Sequence, residues 1–393
     1  MTRTETPAPR MLEGIRIADM TSVVFGPHAT QMLADLGAEV IKIEPPGGEI
    51  FRRVGANPDT PTMGACHMLL NRGKEAIALD LKAEDDCRVM HELLGTVDVF
   101  IHNVRGKAMD RLGFGYEAVK ALNPAIIYVH GVGFGSDGPY ADFQAYDDVI
   151  QAASGTATLL PRADGNPAPR YFPSLVADKI AGHYGTQAVL AALVHKLRTG
   201  EGQFVEVPMF EAFTHFMMVE HFYRGTFADN PEEFGYPRQL DPNRQPFPTA
   251  DGHISIVPYH DGSIVKTFEL IGAADLLDDP RFATTMDRYR NITQIYVEIG
   301  KRTPAKTTAE WMDLLNAAGV PAMQVRDLAD LPNDPHLQAV GFFREREHPL
   351  AGRFTEVRAP VRYGADPDRT LGLAPEVDQD GEAIRARLQK RPG

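Results

Sequence analysis

The stretch GIRIADMTSVVFGPHATQMLADLGAEVIKIE, Gly14 to Glu44, reads as strand, helix and strand in succession. Gly14 to Met20 is the first strand. Gly26-Pro27 opens the helix, because a proline in the first turn gives up only an N–H that has no helical partner. Ala29, Met32, Leu33 and Leu36 fall at i, i+3, i+4 and i+7, and Gly37 supplies the stop. Glu39 to Glu44 is the second strand. The whole is a βαβ unit of about 30 residues.

The same alternation continues downstream. Ala76 to Leu81 reads as a strand, Glu84 to Leu94 as a helix and Val97 to His102 as a strand. Tyr116 to Leu122 is a helix and Ile126 to Val132 a strand. Such alternation implies an α/β fold, a parallel sheet covered by helices on both faces.

Pro173 to Glu211 extends the pattern with a loop carrying Asp178, a helix, the turn Thr199-Gly200-Glu201-Gly202, a strand and the start of another helix. Leu190, Leu193, Val194 and Leu197 predict one buried helical face. Ala181, Ala188, Ala191 and Ala192 leave room for close neighbours. In the strand, Phe204, Glu206 and Pro208 alternate with Val205, Val207 and Met209. Asp178 stands near a helix N-terminus, where an acid commonly serves as a cap or first-turn charge. On the residues alone that structural role is the expectation.

The texture changes after the helix Glu211 to Tyr223. Pro231, Pro237, Pro242, Pro246 and Pro248 mark a linker. A strand over His253 to Val257 and helices over about 262–271, 286–301 and 307–319 make a smaller α+β domain. In the last helix Thr307 and Glu310 form a capping box, Trp311, Leu314, Leu315 and Ala318 share a face, and Gly319 ends it. Segments at 342–348 and 353–359 read as strands returning to the first domain, and 380–389 as a short charged helix. The expected organisation is a disordered lead-in over 1–10, a large domain over 11–224, linker and small domain over 225–331, and linker and return over 332–393.

Composition narrows the function. The chain has 393 residues, with 43% hydrophobic and 24% charged, ordinary for a soluble globular protein. A net charge of −13 argues against a general nucleic-acid binder. Cys66 and Cys87 form no ligand-spaced motif and fit a reduced compartment. Residues 1–10 lack the apolar core of a signal peptide, and no apolar run is long enough to span a bilayer. A cytoplasmic protein is expected, with no membrane partner.

Several motifs were weighed. Gly133 to Gly138 matches G-x-G-x-x-G after a strand, but it is not the first βα turn and Pro139 follows at once, so it is a weak dinucleotide fingerprint. The 13 histidines include no zinc-spaced pair; His215 and His221 stand six apart. No metal is expected. There is no G-x-S-x-G elbow. Lys42, Arg72, Lys74, Lys82, Arg105, Lys107 and Arg111 recur near strand ends, where open parallel sheets bind ligands. They read equally as phosphate contacts or as solvated charges.

Taken together, Gly26-Pro27 and Leu33 to Gly48 (LADLGAEVIKIEPPGG) resemble the opening of the family III CoA-transferases, the CaiB/BaiF family. Asn71-Arg72-Gly73-Lys74, Leu79-Asp80-Leu81-Lys82, Arg111-Leu112-Gly113, Leu122-Asn123-Pro124, the Gly133 to Tyr140 loop, the Asp178 segment and Thr199 to Met209 complete the likeness. The match is dense over about 12–215 and thinner beyond. It implies a doubly wound, Rossmann-like large domain built from both chain ends, a small α+β domain inserted by linkers, and two chains threaded as an interlocked homodimer. The active site would then lie between the large domain of one chain and the small domain of the other.

The resemblance implies that Asp178 is the catalytic carboxylate, carrying CoA as an aspartyl thioester reached through mixed anhydrides. With a reference pKa of about 3.9, such a carboxylate needs no activating base at neutral pH. It further implies CoA contacts at Val24, Phe25, Leu79, Asp80, Lys82, Asn103, Val104, Arg105, Arg111 and Tyr146. Lys82, Arg105 and Arg111 would serve the phosphates, and Val24, Phe25 and Leu79 the adenine or pantetheine. Acyl-CoA and a carboxylic acid would be substrates, and no cofactor would be tightly bound. Pro45 stands where some members of the family have a basic residue, and Gln144 where the formyl-CoA transferase branch has a lysine, which weakens a claim to the oxalate and formate substrates of that branch. Phe247, Tyr259, His260 and Asp261 are candidates for the acyl pocket by segment position.

Two other readings stand beside this one. The family also holds α-methylacyl-CoA racemases, whose acid/base histidine falls here on Tyr146. Tyrosine is a poor base at neutral pH, with a reference pKa of about 10, though His260 could substitute. A CoA-ligand binding protein without catalysis is the third reading.

Overall fold

The computed structural model describes residues 10–229, 233–366 and 370–390. The expected lead-in, apart from Arg10, and Pro231 of the expected linker lie outside the described residues. The chain divides into two compact units: one takes residues up to Thr156, Tyr171–Met217 and the part from Gln338 onward, the other Ala157–Arg170 and Met218–Leu337.

The first unit is organised by six parallel strands: β1 (Arg16–Met20), β2 (Glu39–Glu44), β3 (Lys74–Ala78), β4 (Val99–His102), β5 (Ile127–Val132) and β6 (Gln203–Pro208). Their order is β3-β2-β1-β4-β5-β6. The direction of winding therefore reverses between β1 and β4, the place where open α/β sheets take ligands at their carboxyl ends. Successive strand residues point to opposite faces. In β1, Ile17 packs in the core on one face and Ala18 in the core on the other. Val40 and Ile41 in β2, and Val99 and Phe100 in β4, divide in the same way. Strands buried on both faces need apolar residues side by side, and these adjacent pairs supply them.

One layer contains α1 (Phe25–Asp35) and α5 (Val176–Thr199). The other contains α2 (Glu84–Leu94), α3 (Tyr116–Leu122) and the C-terminal helix Gly381–Gln389. The chain end also covers the sheet edge. Asp380 and Asp378 accept the Ala76 and Ala78 N–H groups of β3 at 2.9 and 2.8 Å, which closes an edge open to further pairing. The expected strands near 342–348 and 353–359 are present as an antiparallel hairpin, Phe343–His348 and Gly352–Val357, separate from the six-stranded sheet.

The buried face of α5 is not the predicted one. Leu193 is buried, but Val194 is 52% and Leu197 77% exposed. The inward face is Ala177, Asp178, Ala181, Gly182, Gly185, Thr186 and Val189. A Cβ on Gly182 would stand 3.0 Å from the Phe25 carbonyl oxygen and from the His28 ring, and one on Gly185 3.3 Å from Ala29 Cβ. Small residues are needed there because α1 lies directly against them, and close backbone approach took precedence over leucine burial.

The second unit has a three-stranded antiparallel sheet, Phe247–Pro248, His253–Ile256 and Ala322–Gln324. Helices Asp261–Leu270, Ile292–Arg302 and Thr308–Ala317 surround a core that includes Phe268, Phe282, Ile295 and Trp311. The Thr307–Glu310 capping box forms as expected. The helix expected over 286–301 is two, Thr285–Arg290 and Ile292–Arg302. Asn291 separates them, with its side-chain amide donating to the Arg281 and Asp287 carbonyls. Among the described residues no helix is long and apolar enough to cross a membrane.

Candidate active site

Asp178 is the third residue of α5, and it does not cap that helix. The residue before the helix, Leu175, makes no side-chain cap. The cap comes instead from Asp147, the first residue of α4 (Asp147–Ala153). Asp147 Oδ2 accepts the Ala177 N–H at 2.7 Å and the Asp178 N–H at 3.1 Å. One turn along α4, Gln151 donates to Asp147 Oδ1 at 2.6 Å and accepts the Phe172 N–H at 2.8 Å. Its Nε2 also reaches the Phe172 and Ser174 carbonyls. Asp147 and Gln151 therefore hold both the start of α5 and the loop leading into it. The capping role expected of Asp178 belongs to Asp147, and the Asp178 carboxyl is left for other work.

Asp178 as a whole is 7% exposed. Burial, and then the negative charge of Asp147, push it from the ordinary 3.8 up to about 7; the Phe25 main-chain N–H works in the opposite direction. Phe25 opens α1, so its amide belongs to the electropositive end of a helix. The expectation that this carboxylate is ionised without assistance at neutral pH is corrected. In the free chain Asp178 titrates near neutrality, because it is desolvated beside another acid.

The predicted ligand positions fall mainly at the carboxyl edge of the sheet. Val24 and Phe25 follow β1 and are buried; Asn103 and Val104 follow β4, its neighbour. These segments are joined. Asn103 Oδ1 accepts the Ser22 N–H at 3.0 Å, and its Nδ2 donates to the Ser22 carbonyl at 2.9 Å. The Val104 carbonyl lies 2.9 Å from His130 Nε2 and 3.2 Å from His102 Nδ1. The void among Phe25, Asn103, Gly131 and Val207 holds only about 10 Å³, too small for a ligand beneath the edge. Leu79, Asp80 and Lys82 follow β3, with β2 between them and β1. Leu79 is buried; Asp80 accepts the Lys82 N–H at 3.1 Å. Lys82, Arg105 and Arg111 are exposed. Tyr146, just before α4, is 63% exposed.

Other basic residues near the strand ends are structural. Lys42 is fully buried and donates to the Thr21 carbonyl at 3.1 Å. Arg72 makes a paired contact with Asp35 at 2.7 and 3.1 Å. Lys74 and Asp19 are both fully buried, 3.0 Å apart. Burial lowers Lys74 to about 8, although Asp19 supports its charge. None of the three serves as a phosphate clamp. Lys107 pairs at the surface with Asp142 at 2.7 Å. The Gly133 to Gly138 loop is no dinucleotide cradle either. Glu211 accepts the Gly135 N–H at 2.9 Å and Glu206 the Ser136 N–H at 3.0 Å, so a pyrophosphate would meet carboxylates.

The model of CoA-transferase family III matches residues 12–381 of this chain. The chain belongs to that family. A succinate–glutarate CoA-transferase of Agrobacterium fabrum is 31% identical, covering 96% of each chain. An acetyl-CoA:oxalate CoA-transferase of Acetobacter aceti is 33% identical, covering 98% of each. The crystal structure of Rv3272 from Mycobacterium tuberculosis superimposes with a TM-score of 0.83 at 30% identity, over 96% of this chain and 99% of that one. The protein is an enzyme, a CoA-transferase.

Two residues around Asp178 were not singled out from the sequence: Asp147 and Gln151. Their i, i+4 spacing at a helix start was the available signal. Among the described residues no group of three or more His, Cys, Asp or Glu side chains is placed to hold a metal.

Proposed function

We propose that this transferase takes CoA from an acyl-CoA thioester and delivers it to a free carboxylic acid, with Asp178 as the covalent carrier. The observation that carries this reading is a buried carboxyl in the first turn of α5, on the helix that packs against Phe25 at the start of α1. An Asp178 oxygen attacks the thioester carbonyl; the C–S bond breaks, giving a mixed anhydride and CoA thiolate. The thiolate attacks the aspartyl carbonyl, releasing the donor acid and leaving an aspartyl-CoA thioester. The acceptor carboxylate attacks that carbonyl, forming a second anhydride and freeing the thiolate. The thiolate then takes the acceptor acyl group and restores the carboxylate. Charge and atoms balance with no net proton. The Phe25 N–H can stabilise oxyanions on the aspartyl carbon.

The CoA contacts belong to the same proposal. Val24, Phe25, Asn103 and Val104 would line the nucleotide and pantetheine path beside Asp178. Lys82, Arg105 and Arg111 would meet phosphates, and Leu79, Asp80 and Tyr146 would complete the track. CoA is a substrate here, with no cofactor held between turnovers. An interlocked homodimer in the cytoplasm, built from the large and inserted small domains set out above, is also proposed. Exposed Val194 and Leu197 on α5 support association, as apolar surface of that kind favours burial in an interface.

The racemase reading is not favoured. The relatives described above are named as transferases. Tyr146 is mostly exposed, and His260 Nδ1 accepts the Ser263 N–H at 3.2 Å in its own helix cap. The names of the relatives, together with a probable fatty acyl-CoA transferase, set the substrates to try. Succinyl-CoA and acetyl-CoA would be paired with oxalate, glutarate and longer acids, for wild type beside Asp178→Ala. Transfer should fall by about a thousandfold or more in the variant. Intact mass should show a CoA adduct on wild type alone; an equally active variant would end the reading.

A further inference from the structure

Val23 has φ +70°, the left-handed region that a β-branched side chain resists. It lies in the turn between β1 and α1. Side chains from elsewhere hold the backbone of each residue leading into that bend. Thr21 gives its N–H to Asp19 at 3.0 Å and takes the Lys42 ammonium at 3.1 Å. Ser22 is held at both main-chain polar atoms by Asn103. Val23 gives its N–H to Glu49 Oε2 at 3.3 Å, and that oxygen also accepts the Phe51 N–H at 2.9 Å. Glu49 is 7% exposed, and its Oε1 has no hydrogen-bond partner in the structure. Burying a carboxylate oxygen unpaired is unfavourable. Strain at Val23 and an incompletely satisfied acid beside it are what a site imposes when geometry matters more than local stability.

Val24 and Phe25 come next; the Phe25 main chain packs against α5, where a Cβ on Gly182 would stand 3.0 Å from its carbonyl oxygen, and its N–H favours the ionised form of Asp178. We propose that Glu49 is a positioning residue for CoA transfer, holding Val23 in its left-handed conformation so that the Phe25 N–H stays aimed at the Asp178 carboxyl and at the oxyanion formed there. The inference rests on Asp178 being the carrier. Glu49 touches no reacting atom; it acts through the turn.

The test measures kcat, the acyl-CoA KM and the acid limb of the pH profile for wild type, Asp178→Ala, Glu49→Ala, Val23→Gly and the double variant of the last two. Glu49→Ala is expected to lose at least about tenfold in kcat with KM held within about twofold. Its acid limb should move to higher pH, because Asp178 loses a donor while Asp147 still faces it. Glycine adopts the left-handed conformation without help. Val23→Gly should therefore restore at least about threefold of the lost kcat in the Glu49→Ala background. A merely structural Glu49 would change thermal stability without that rescue or that shift. Glu49→Ala with wild-type kcat and pH profile, or a loss that Val23→Gly does not relieve, overturns the proposal. Glu49→Gln keeps the shape should Glu49→Ala fail to fold. Its neutral oxygen accepts more weakly, so a threefold or larger loss with a raised limb is expected, and wild-type values would again overturn it. Asp178→Ala separates the two readings. If it is inactive while Glu49→Ala is normal, only the positioning role falls; if it is fully active, both fall.

Discussion

Asp147 holds the Asp178 N–H at 3.1 Å while its charge opposes ionisation of the Asp178 carboxyl. One residue thus fixes the place of the proposed nucleophile and raises its pKa. The two effects can be separated. Asp147→Asn keeps an oxygen that can accept an amide N–H but removes the like charge. The acid limb of the transfer rate should move down by about one pH unit, with a stability cost of about 1 kcal/mol or less. Rate profiles from pH 5 to 9 check this; a limb that stays in place would mean that burial alone sets the value.

Asp178 also makes stability depend on pH. Its pKa is about 7 folded, against an ordinary 3.8. Between those values the folded state holds the extra proton, so this group's contribution falls as pH rises from about 4 through about 7 and is level outside that window. Asp178→Asn removes the penalty. It should raise Tm at pH 8 by more than at pH 5, with an upper bound of about 4 kcal/mol at 1.36 kcal/mol per pH unit. Thermal unfolding of both proteins at the two pH values measures it; an equal change at both would show that the carboxyl is not destabilised by its surroundings.

The sheet was legible because its strands carry adjacent apolar residues, one for each face, as Ile17-Ala18 and Val40-Ile41 do. Helix α1 was legible because Ala29 and Leu33, spaced i and i+4, face the core. Helix α5 was not. Its inward face is alanine and glycine, which carry little hydrophobic signal, while Val194 and Leu197 advertise a face that this chain leaves exposed. The buried charges were hidden for another reason. Lys74 finds Asp19 at a separation of 55 residues and Arg72 finds Asp35 at 37, pairings that only the sheet brings together. Asp178 was identifiable as a residue through resemblance. Its environment was not, since Asp147 stands 31 residues away.

The Asp19–Lys74 pair supports the turn below the site. Lys74 also donates to Thr30 and Asn71 at 2.8 Å and to the Pro27 carbonyl at 3.1 Å. Lys74→Met would leave Asp19 buried without its main partner. Breaking one side of such a pair costs about 3–5 kcal/mol. Urea unfolding should show that loss, whereas Lys107→Ala, at a pair 77% and 76% exposed, should leave the midpoint where it was. Equal effects from the two variants would contradict the buried network.

Gly133 connects the glycine loop to the segment that supports the proposed nucleophile. A Cβ placed there would lie 2.3 Å from Ala145 Cβ, a distance no real pair adopts. Ala145 is two residues before Asp147, so relief of the clash must displace either the end of the loop or the segment that caps α5. Ala145 also packs against the core that holds Val129 and Ile150, so the clash acts on stability as well as on alignment. Gly133→Ala should therefore lower Tm and lose about tenfold or more in kcat, as small misplacements of reacting groups do. The acyl-CoA KM should change less, because Asn103 and Val104 follow a different strand. Steady-state kinetics at saturating acceptor would read both constants. A rise in KM with unchanged kcat would place this loop against bound CoA instead, acting on affinity and not on the alignment of Asp178.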